Sequence, residues 1–336
     1  MSKLTFARAI NAGLRKSLEN DPKVVLMGED IGSLGGVFRV TDGLQKDFGK
    51  HRVIDSPLAE SGIIGTAVGL AYRATGRFAR SSSMVSSTAF DQIVSQVAKM
   101  HYRTQGRVKM PITIRVPFGG GIGSPEHHSE SPEAYFTHTS GLRVVAVSNP
   151  QDAYTMIQQA IASDDPVLYF EPKRRYHDKG DVDETIDLSA ALPLDKAAVV
   201  SPGSDVTLVA YGPLVKTAKD AAMAAADEGI SVEVIDLRSL APVDYPPVVE
   251  ASVRKTGRMV ITHEAGQSGG LGAEIAASIT ERCFHYLESA PVRITGFDVP
   301  YPYSKLEMHH LPDLDRILDG VDRALGRRNS LSGLEG

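Results

Sequence analysis

Cysteine is nearly absent from this chain. Cys283 stands alone among 336 residues, so no internal disulfide can form and a reducing compartment is expected, with a cytoplasmic location. Long apolar runs are missing too. None approaches the roughly 18 residues of a membrane span, and the first residues carry no signal-like apolar block. Positive charge is not in excess: 36 Lys and Arg against 41 Asp and Glu leave a net charge of −5. That gives no electrostatic basis for binding nucleic acid. No His-Glu-x-x-His spacing, Walker lysine or dinucleotide fingerprint occurs. What is present is an ordinary globular composition, 42% hydrophobic and 23% charged, on a chain long enough for two domains.

The pattern alternates apolar runs with amphipathic stretches. "KVVLMGED", "RVIDSPLAE", "MPITIRVP", "LRVVAVSNP" and "PVLYFEP" read as strands of a first domain. "DVTLVAYG", "SVEVIDLRSL", "RMVITHE" and "PVRITGFD" read as strands of a second. Such β-branched runs suit parallel strands buried on both faces and joined by crossover helices. Phe6, Ile10, Leu14 and Leu18 fall four apart, one stripe of a helix. Further helices are predicted at "AFDQIVSQVAKMHYR", "PQDAYTMIQQAIA", "VKTAKDAAMAAADEG" and "GLGAEIAASITERCF". The reading is α/β with two parallel-sheet domains: residues 1–185, a polar linker 186–204, residues 205–328, and a disordered tail 329–336.

Ligands of parallel sheets sit beyond the carboxyl ends of strands, so chemistry is sought there. "VPFGGGIGSPEHH" follows a strand and is glycine-rich, but Ser124-Pro125 follows it instead of a helix. A loop needing positive φ is the better reading than a phosphate cradle. "THEAGQSGGLGAEIAASI" offers a turn and a helix start, where free N–H groups could hold an anion or Ser268 could simply cap. His127 and His128 are adjacent and poorly placed to share one metal. Glu29 and Asp30 end the first strand, and Glu60 follows the second at a helix start. A carboxylate there can be a mere dipole partner. His128 lies in a loop after a parallel strand with Glu126, Glu130 and Glu133 nearby, a candidate acid or base.

Six stretches together carry a resemblance: "GEDIGSLGGVFRVTDGL", "SPLAESGIIGTAVGLA", "AFDQIVSQVAKMHYRT", "EHHSESPEAYFTHTSGLRVV", "VLYFEPKRRY" and "VEVIDLRSLAPVD". From about Leu4 to about Leu325 the chain resembles the β subunit of the thiamine-diphosphate-dependent decarboxylating component of 2-oxoacid dehydrogenase complexes. "HSESPEAYFTHTSG" and "YFEPKRRY" look more like the branched-chain branch than the pyruvate branch.

The resemblance implies a transketolase-like pyrimidine-binding domain followed by a transketolase C-terminal-like domain. It implies an α2β2 heterotetramer, with the aminopyrimidine of thiamine diphosphate on β, and diphosphate and Mg2+ on α. The chain has no GDG…N magnesium motif, which fits the β role. Glu60 matches the glutamate that hydrogen-bonds the pyrimidine ring nitrogen, and His128 the histidine that assists acyl transfer to the lipoyl arm. Leu58, Ser81, Val85 and Glu29 are further cofactor-side expectations, Glu29 as part of an acidic path between paired sites. A structural K+ is expected near Ile112, Thr113, Ala160 and Asp165, held largely by main-chain oxygens. The implied partners are the α subunit, the lipoyl acyltransferase core and dihydrolipoamide dehydrogenase. The alternatives are a pyruvate or acetoin enzyme, or a non-catalytic subunit that docks the acyltransferase core.

One stretch breaks the likeness. Residues 73–88, "RATGRFARSSSMVSST", occupy the place where the family reads approximately "GYRPVxEIQFDGFVYP". Ser81 falls on the family glutamine and Val85 on the aromatic that packs on the aminopyrimidine. Serine-rich chain makes a poor buried strand, and each unpaired buried hydroxyl costs roughly 1–3 kcal/mol. Codons for these residues can be chosen so that the shifted frame reads "GYRPVREIQFDGFVY". Compensating one-base errors in the sequence are the expected explanation; the alternatives are a genuine divergence or a tolerated mutant.

Overall fold

A computed structural model of the chain describes residues 1–73, 77–81 by their backbone, 89–124 and 128–327. Val85, the Ser81 side chain and the tail 329–336 lie outside the described residues. The chain divides into two compact units that interleave in sequence. The first comprises Met1–Phe118, Tyr135–Leu194 and Leu240–Pro242; the second comprises Gly119–Ala134, Asp195–Ser239 and Val243 onward.

The strands in chain order are β1 (Ser2–Thr5), β2 (Val24–Gly28), β3 (Val53–Asp55), β4 (Arg77–Ser81), β5 (Ile112–Phe118), β6 (Arg143–Ala146), β7 (Val167–Pro172), β8 (Lys179–Val182), β9 (Ala198–Ser201), β10 (Val206–Ala210), β11 (Val232–Asp236), β12 (Ser239–Ala241), β13 (Met259–Gly266) and β14 (Val292–Gly296).

The first unit is built on the sheet β12-β6-β7-β5-β4-β2-β3. Pairings from β6 across to β3 are parallel. All seven residues of β5 and all six of β7 are buried, as continuous apolar runs require in a sheet covered on both faces. The helix Phe6–Asn20 starts where the Thr5 hydroxyl accepts the Arg8 amide at 3.3 Å, an N-cap. It buries Phe6, Ile10, Leu14 and Leu18, each contributing about 1.5–3 kcal/mol by leaving water. Its neighbour is the helix Pro150–Ala162, capped by Asn149 through the Asp152 amide at 2.9 Å. A Cβ on Gly13 would lie 2.4 Å from Ile157 Cγ2, so only glycine allows the two helices to approach this closely. A small antiparallel pair, β1 with β8, joins two segments that the sequence pattern does not mark as strands.

β4 is an interior strand of the large sheet, parallel to β2 on one side and β5 on the other. Ser81, the first of the serines, therefore ends a strand in the interior of the sheet.

The second unit is built on the sheet β14-β13-β10-β11-β9. It is parallel except for the edge strand β9, which runs antiparallel to β11. Its core joins Val206, Leu208, Val234 and Val260 from the sheet with Leu214, Ala218 and Ile317 from helices. "SVEVIDLRSL" does not form one strand. β11 ends at Asp236, whose carboxylate accepts the Arg238 amide at 3.0 Å; Arg238 has φ +55°, and β12 goes to the other sheet.

Candidate functional site

β2 and β3 are parallel, with Gly28 opposite Asp55, so both release the chain at the same carboxyl end of the sheet. Beyond β3, the Ser56 amide donates to Gly28 O at 2.9 Å. Glu60 then opens the helix Glu60–Tyr72. Ala59 before it offers no side-chain cap, and a carboxylate in the first turn complements the free N–H groups. Glu60 is only 5% exposed, and its Oε1 is buried without a hydrogen-bond partner among the described residues. A buried polar atom left unpaired calls for a reason. Here it leaves a carboxyl oxygen able to engage a ring nitrogen or N–H of a ligand.

The other expected residues of this unit lie as follows. Leu58 is 73% exposed in the turn before Glu60. Ser81 ends β4, opposite Gly28 and Arg115. Glu29 is half-buried and lines a cavity of about 50 Å3 with Asp30, Thr41, Arg115 and Tyr176. Of that lining, Arg115 donates to both oxygens of buried Glu171, at 2.5 and 2.8 Å, and the Tyr176 hydroxyl donates to Glu171 at 2.7 Å. Burial opposes the Arg115 charge, but Glu171 more than offsets this and holds its pKa above the ordinary value.

The Asp165 carboxylate lies 2.8 Å from His101 Nδ1 and 3.7 Å from the Arg143 guanidinium, so it already has partners within the chain. Thr113 Oγ1 is buried and unpartnered among the described residues. No three His, Cys, Asp or Glu side chains are grouped to hold a metal among those residues.

His128 belongs to the segment that clusters with the second unit and is half-buried; its neighbours Pro125, Glu126 and His127 lie outside the described residues. The glycine loop ahead of it has positive φ at Gly119, Gly121 and Gly123, as its composition predicts. Its amides face carboxylates of the chain itself. Gly120 N–H donates to Glu264 at 2.9 Å, and Gly121 and Gly123 donate to the two oxygens of Glu307 at 2.8 and 2.9 Å. At "THEAGQSGG", Ser268 donates to Asp298 from its amide at 2.9 Å and its hydroxyl at 2.6 Å. The Gly272 amide donates to His263 Nε2 at 3.1 Å. Burial lowers the His263 pKa to about 4, which keeps that nitrogen an acceptor. The turn is thus closed by its own side chains.

Comparison with known proteins agrees with this architecture. Residues 2–179 match the family described as Transketolase, pyrimidine binding domain, and residues 195–317 match Transketolase, C-terminal domain. A solved split-gene transketolase, described as an inactive beta4 tetramer, covers 97% of this chain and 99% of its own at a TM-score of 0.75. At 22% identity it shows the fold alone. Pyruvate dehydrogenase E1 component subunit beta of Leifsonia xyli subsp. xyli is 54% identical over 96% of this chain and 95% of its own. 3-Methyl-2-oxobutanoate dehydrogenase subunit beta of Mycobacterium tuberculosis is 49% identical over 96% and 92%. The chain belongs to the 2-oxoacid dehydrogenase E1 β-subunit family. It is a subunit of an oxidoreductase, and 2-oxoisovalerate dehydrogenase subunit beta of Pseudomonas aeruginosa is a further relative at 44%, over 94% and 93%. Among the described residues no helix is long and apolar enough to cross a membrane.

In this E1 β chain one of the acids near His128 in sequence is set apart by burial. Glu133 is fully buried and accepts the Tyr211 hydroxyl at 2.6 Å. Burial raises its pKa to about 7; the Tyr211 bond lowers it, and the nearby Glu264 carboxylate raises it further. Tyr211 is raised well above its ordinary value by the same burial and by Glu133, and its ring stacks on His263 at 6.0 Å. Glu307 shows the opposite balance. Burial pushes it up, but the Tyr301 hydroxyl and the glycine amides bring it below the ordinary range. Glu264 and Glu307 lie 144 and 186 residues from the amides they bind, so no local pattern could pair them.

Proposed function

We propose that this chain is the β subunit of a branched-chain 2-oxoacid dehydrogenase, working with an α subunit in an α2β2 enzyme. The observation that carries the reading is the buried Glu60 carboxyl, at a helix start beyond a parallel strand, with one oxygen unpartnered among the described residues. That oxygen fits the pyrimidine ring nitrogen of thiamine diphosphate. When bound, the cofactor supplies an electron sink as carbon dioxide leaves. Glu60 orients the ring and sets its tautomer through one hydrogen bond. His128 holds or delivers a proton when the lipoyl dithiolane opens. Glu29, which lines a cavity with Arg115, belongs to an acidic route out of the site. Leu58, Ser81 and Val85 are assigned to the cofactor side. Mg2+ and diphosphate fall to the α subunit, and K+ to main-chain oxygens near Ile112 and Ala160. The lipoyl acyltransferase core and dihydrolipoamide dehydrogenase complete the complex. The domain boundaries proposed are 1–185 and 205–328 about the linker 186–204.

The branched-chain assignment rests on "HSESPEAYFTHTSG" and "YFEPKRRY". The second reading is a pyruvate enzyme, favoured by the 54% identity to a relative of that name against 49% to a branched-chain one. Co-expression with the cognate α subunit tests both. The reconstituted enzyme should require thiamine diphosphate and Mg2+ and show a higher kcat/KM for 3-methyl-2-oxobutanoate than for pyruvate. The reverse preference installs the second reading. Turnover by the β chain alone overturns the division of labour.

A further inference from the structure

The segment Gly119–Ala134 carries His128 and clusters with the second unit. Its described residues before and after that histidine are bonded to side chains from distant parts of the chain. Upstream, Gly121 and Gly123 donate to the two oxygens of Glu307, and Gly120 donates to Glu264 Oε2. The Tyr301 hydroxyl donates to Glu307 Oε1 at 2.7 Å. Downstream, Glu133 accepts the Tyr211 hydroxyl at 2.6 Å. His128 stands five residues from Gly123 and five from Glu133.

Successive amides that converge on one point form a nest, a geometry suited to an anion. Here the nest is filled by a carboxylate of the chain. Glu307 is buried, and its hydrogen bonds favour the ionised form against the cost of burial. Bonds from amides to a carboxylate are short and strong. A Cβ on Gly120 would lie 1.8 Å from the Tyr301 hydroxyl and 3.2 Å from Glu307 Oε1, and one on Gly119 would lie 2.7 Å from Glu264 Oε2. The loop is therefore held at contact distance from its clamp.

We infer that Glu307, supported by Tyr301 and Glu264, is a positioning residue that sets the place of His128 for acyl transfer to the lipoyl arm. The inference rests on the reading of His128 given above. A proton donor displaced by about 1 Å loses on the order of 10²-fold in rate. The clamp should accordingly matter for the transfer half-reaction far more than for decarboxylation.

The test uses the reconstituted α2β2 enzyme carrying Glu307→Gln, Tyr301→Phe or His128→Ala. Decarboxylation is followed with an artificial electron acceptor, and transfer by reductive acylation of a lipoyl domain. The glutamine amide presents N–H where a glycine N–H already points, so it breaks one arm of the clamp. Glu307→Gln should lower lipoyl acylation on the order of 10²-fold, with a much smaller fall in decarboxylation. Tyr301→Phe removes one hydroxyl and should give a smaller loss of the same kind, which keeps the test informative if Glu307→Gln does not assemble. Carbethoxylation of His128, read by peptide mass spectrometry, should change in rate in both clamp variants. Equal losses in the two half-reactions, or unchanged acylation and His128 reactivity, overturn the positioning role. If His128→Ala itself spares acylation, the reading of His128 falls and the positioning role with it. If His128→Ala loses acylation selectively and Glu307→Gln does not, the positioning role alone falls.

Discussion

Replacing Glu133 by glutamine should make the protein's stability less sensitive to pH between about 5 and 7. In the folded chain Glu133 titrates at about 7, against an ordinary value of 4.5. A carboxyl raised on folding keeps its proton in the native state while the unfolded state gives it up. Stability is then greatest at low pH, falls as pH rises through the ordinary value toward 7, and is level above that. Each pH unit inside the window costs about 1.4 kcal/mol. Between about pH 5.5 and about pH 8 the group traverses about one and a half such units, a loss of about 2 kcal/mol. Glutamine cannot ionise, and its carbonyl can still accept the Tyr211 hydroxyl. The other groups facing this site are Tyr211, His263 and Glu264; they are present in both proteins and cancel in the comparison. The assay is thermal unfolding of wild type and Glu133→Gln at the two pH values. A loss of about 2 kcal/mol shifts Tm by about 4–8 °C for a unit of this size. Wild type should lose that much more than the variant on going to the higher pH. An equal shift in both proteins would refute the argument, because Glu133 would then be ionised throughout or equally perturbed in the unfolded chain.

Glu60→Gln should suppress C2 hydrogen–deuterium exchange of thiamine diphosphate in the assembled enzyme, measured by quenched-flow NMR; wild-type exchange in the variant removes Glu60 from the site. Gly120→Ala should cost about 1–3 kcal/mol by overpacking against Tyr301, read by denaturant unfolding. Tyr301→Phe in the same chain should recover part of that cost, since the hydroxyl is the atom in the way; a cost unchanged by the second substitution contradicts the contact. Trypsin digestion of protein made from the native gene should yield a peptide resembling "EIQFDGFVYPAFDQIVSQVAK". Recovery of "SSSMVSSTAFDQIVSQVAK" would establish the serine stretch as genuine and the frame-shift explanation as wrong.

The long parallel strands were legible because a strand buried on both faces has to be a continuous apolar run, as in β5 and β7. The helix Pro150–Ala162 was legible to the residue, since Asn149 and Pro150 announce its start. Short edge elements were not. β1 and β8 have four residues each and partly exposed side chains, too little pattern to separate from loop. β12 was hidden because "VEVIDLRSL" carries one apolar signature across a break made by the backbone at Arg238. Glu60 could be singled out as an acid just beyond a strand, but the burial of its carboxyl is a fact of packing. The glycine loop announced its positive φ and concealed its partners, which come from far along the chain. Glu133 looked like one of several loop acids until burial distinguished it from exposed Glu130.

The interleaving of the two units has a consequence for modularity. A fragment cut at the polar linker and beginning at Asp195 retains β9, β10, β11, β13 and β14 and contains Glu264 and Glu307. It lacks Gly119–Ala134, which clusters with that unit. Three amide donors to those carboxylates are then missing, and each buried group left unsatisfied costs about 1–3 kcal/mol. A piece that looks self-contained in the linear sequence is thus short of its own counter-dipoles. Chimeras that exchange the carboxyl-terminal half between relatives have to carry residues 119–134 along with it, or inherit acids whose donors were selected in another background.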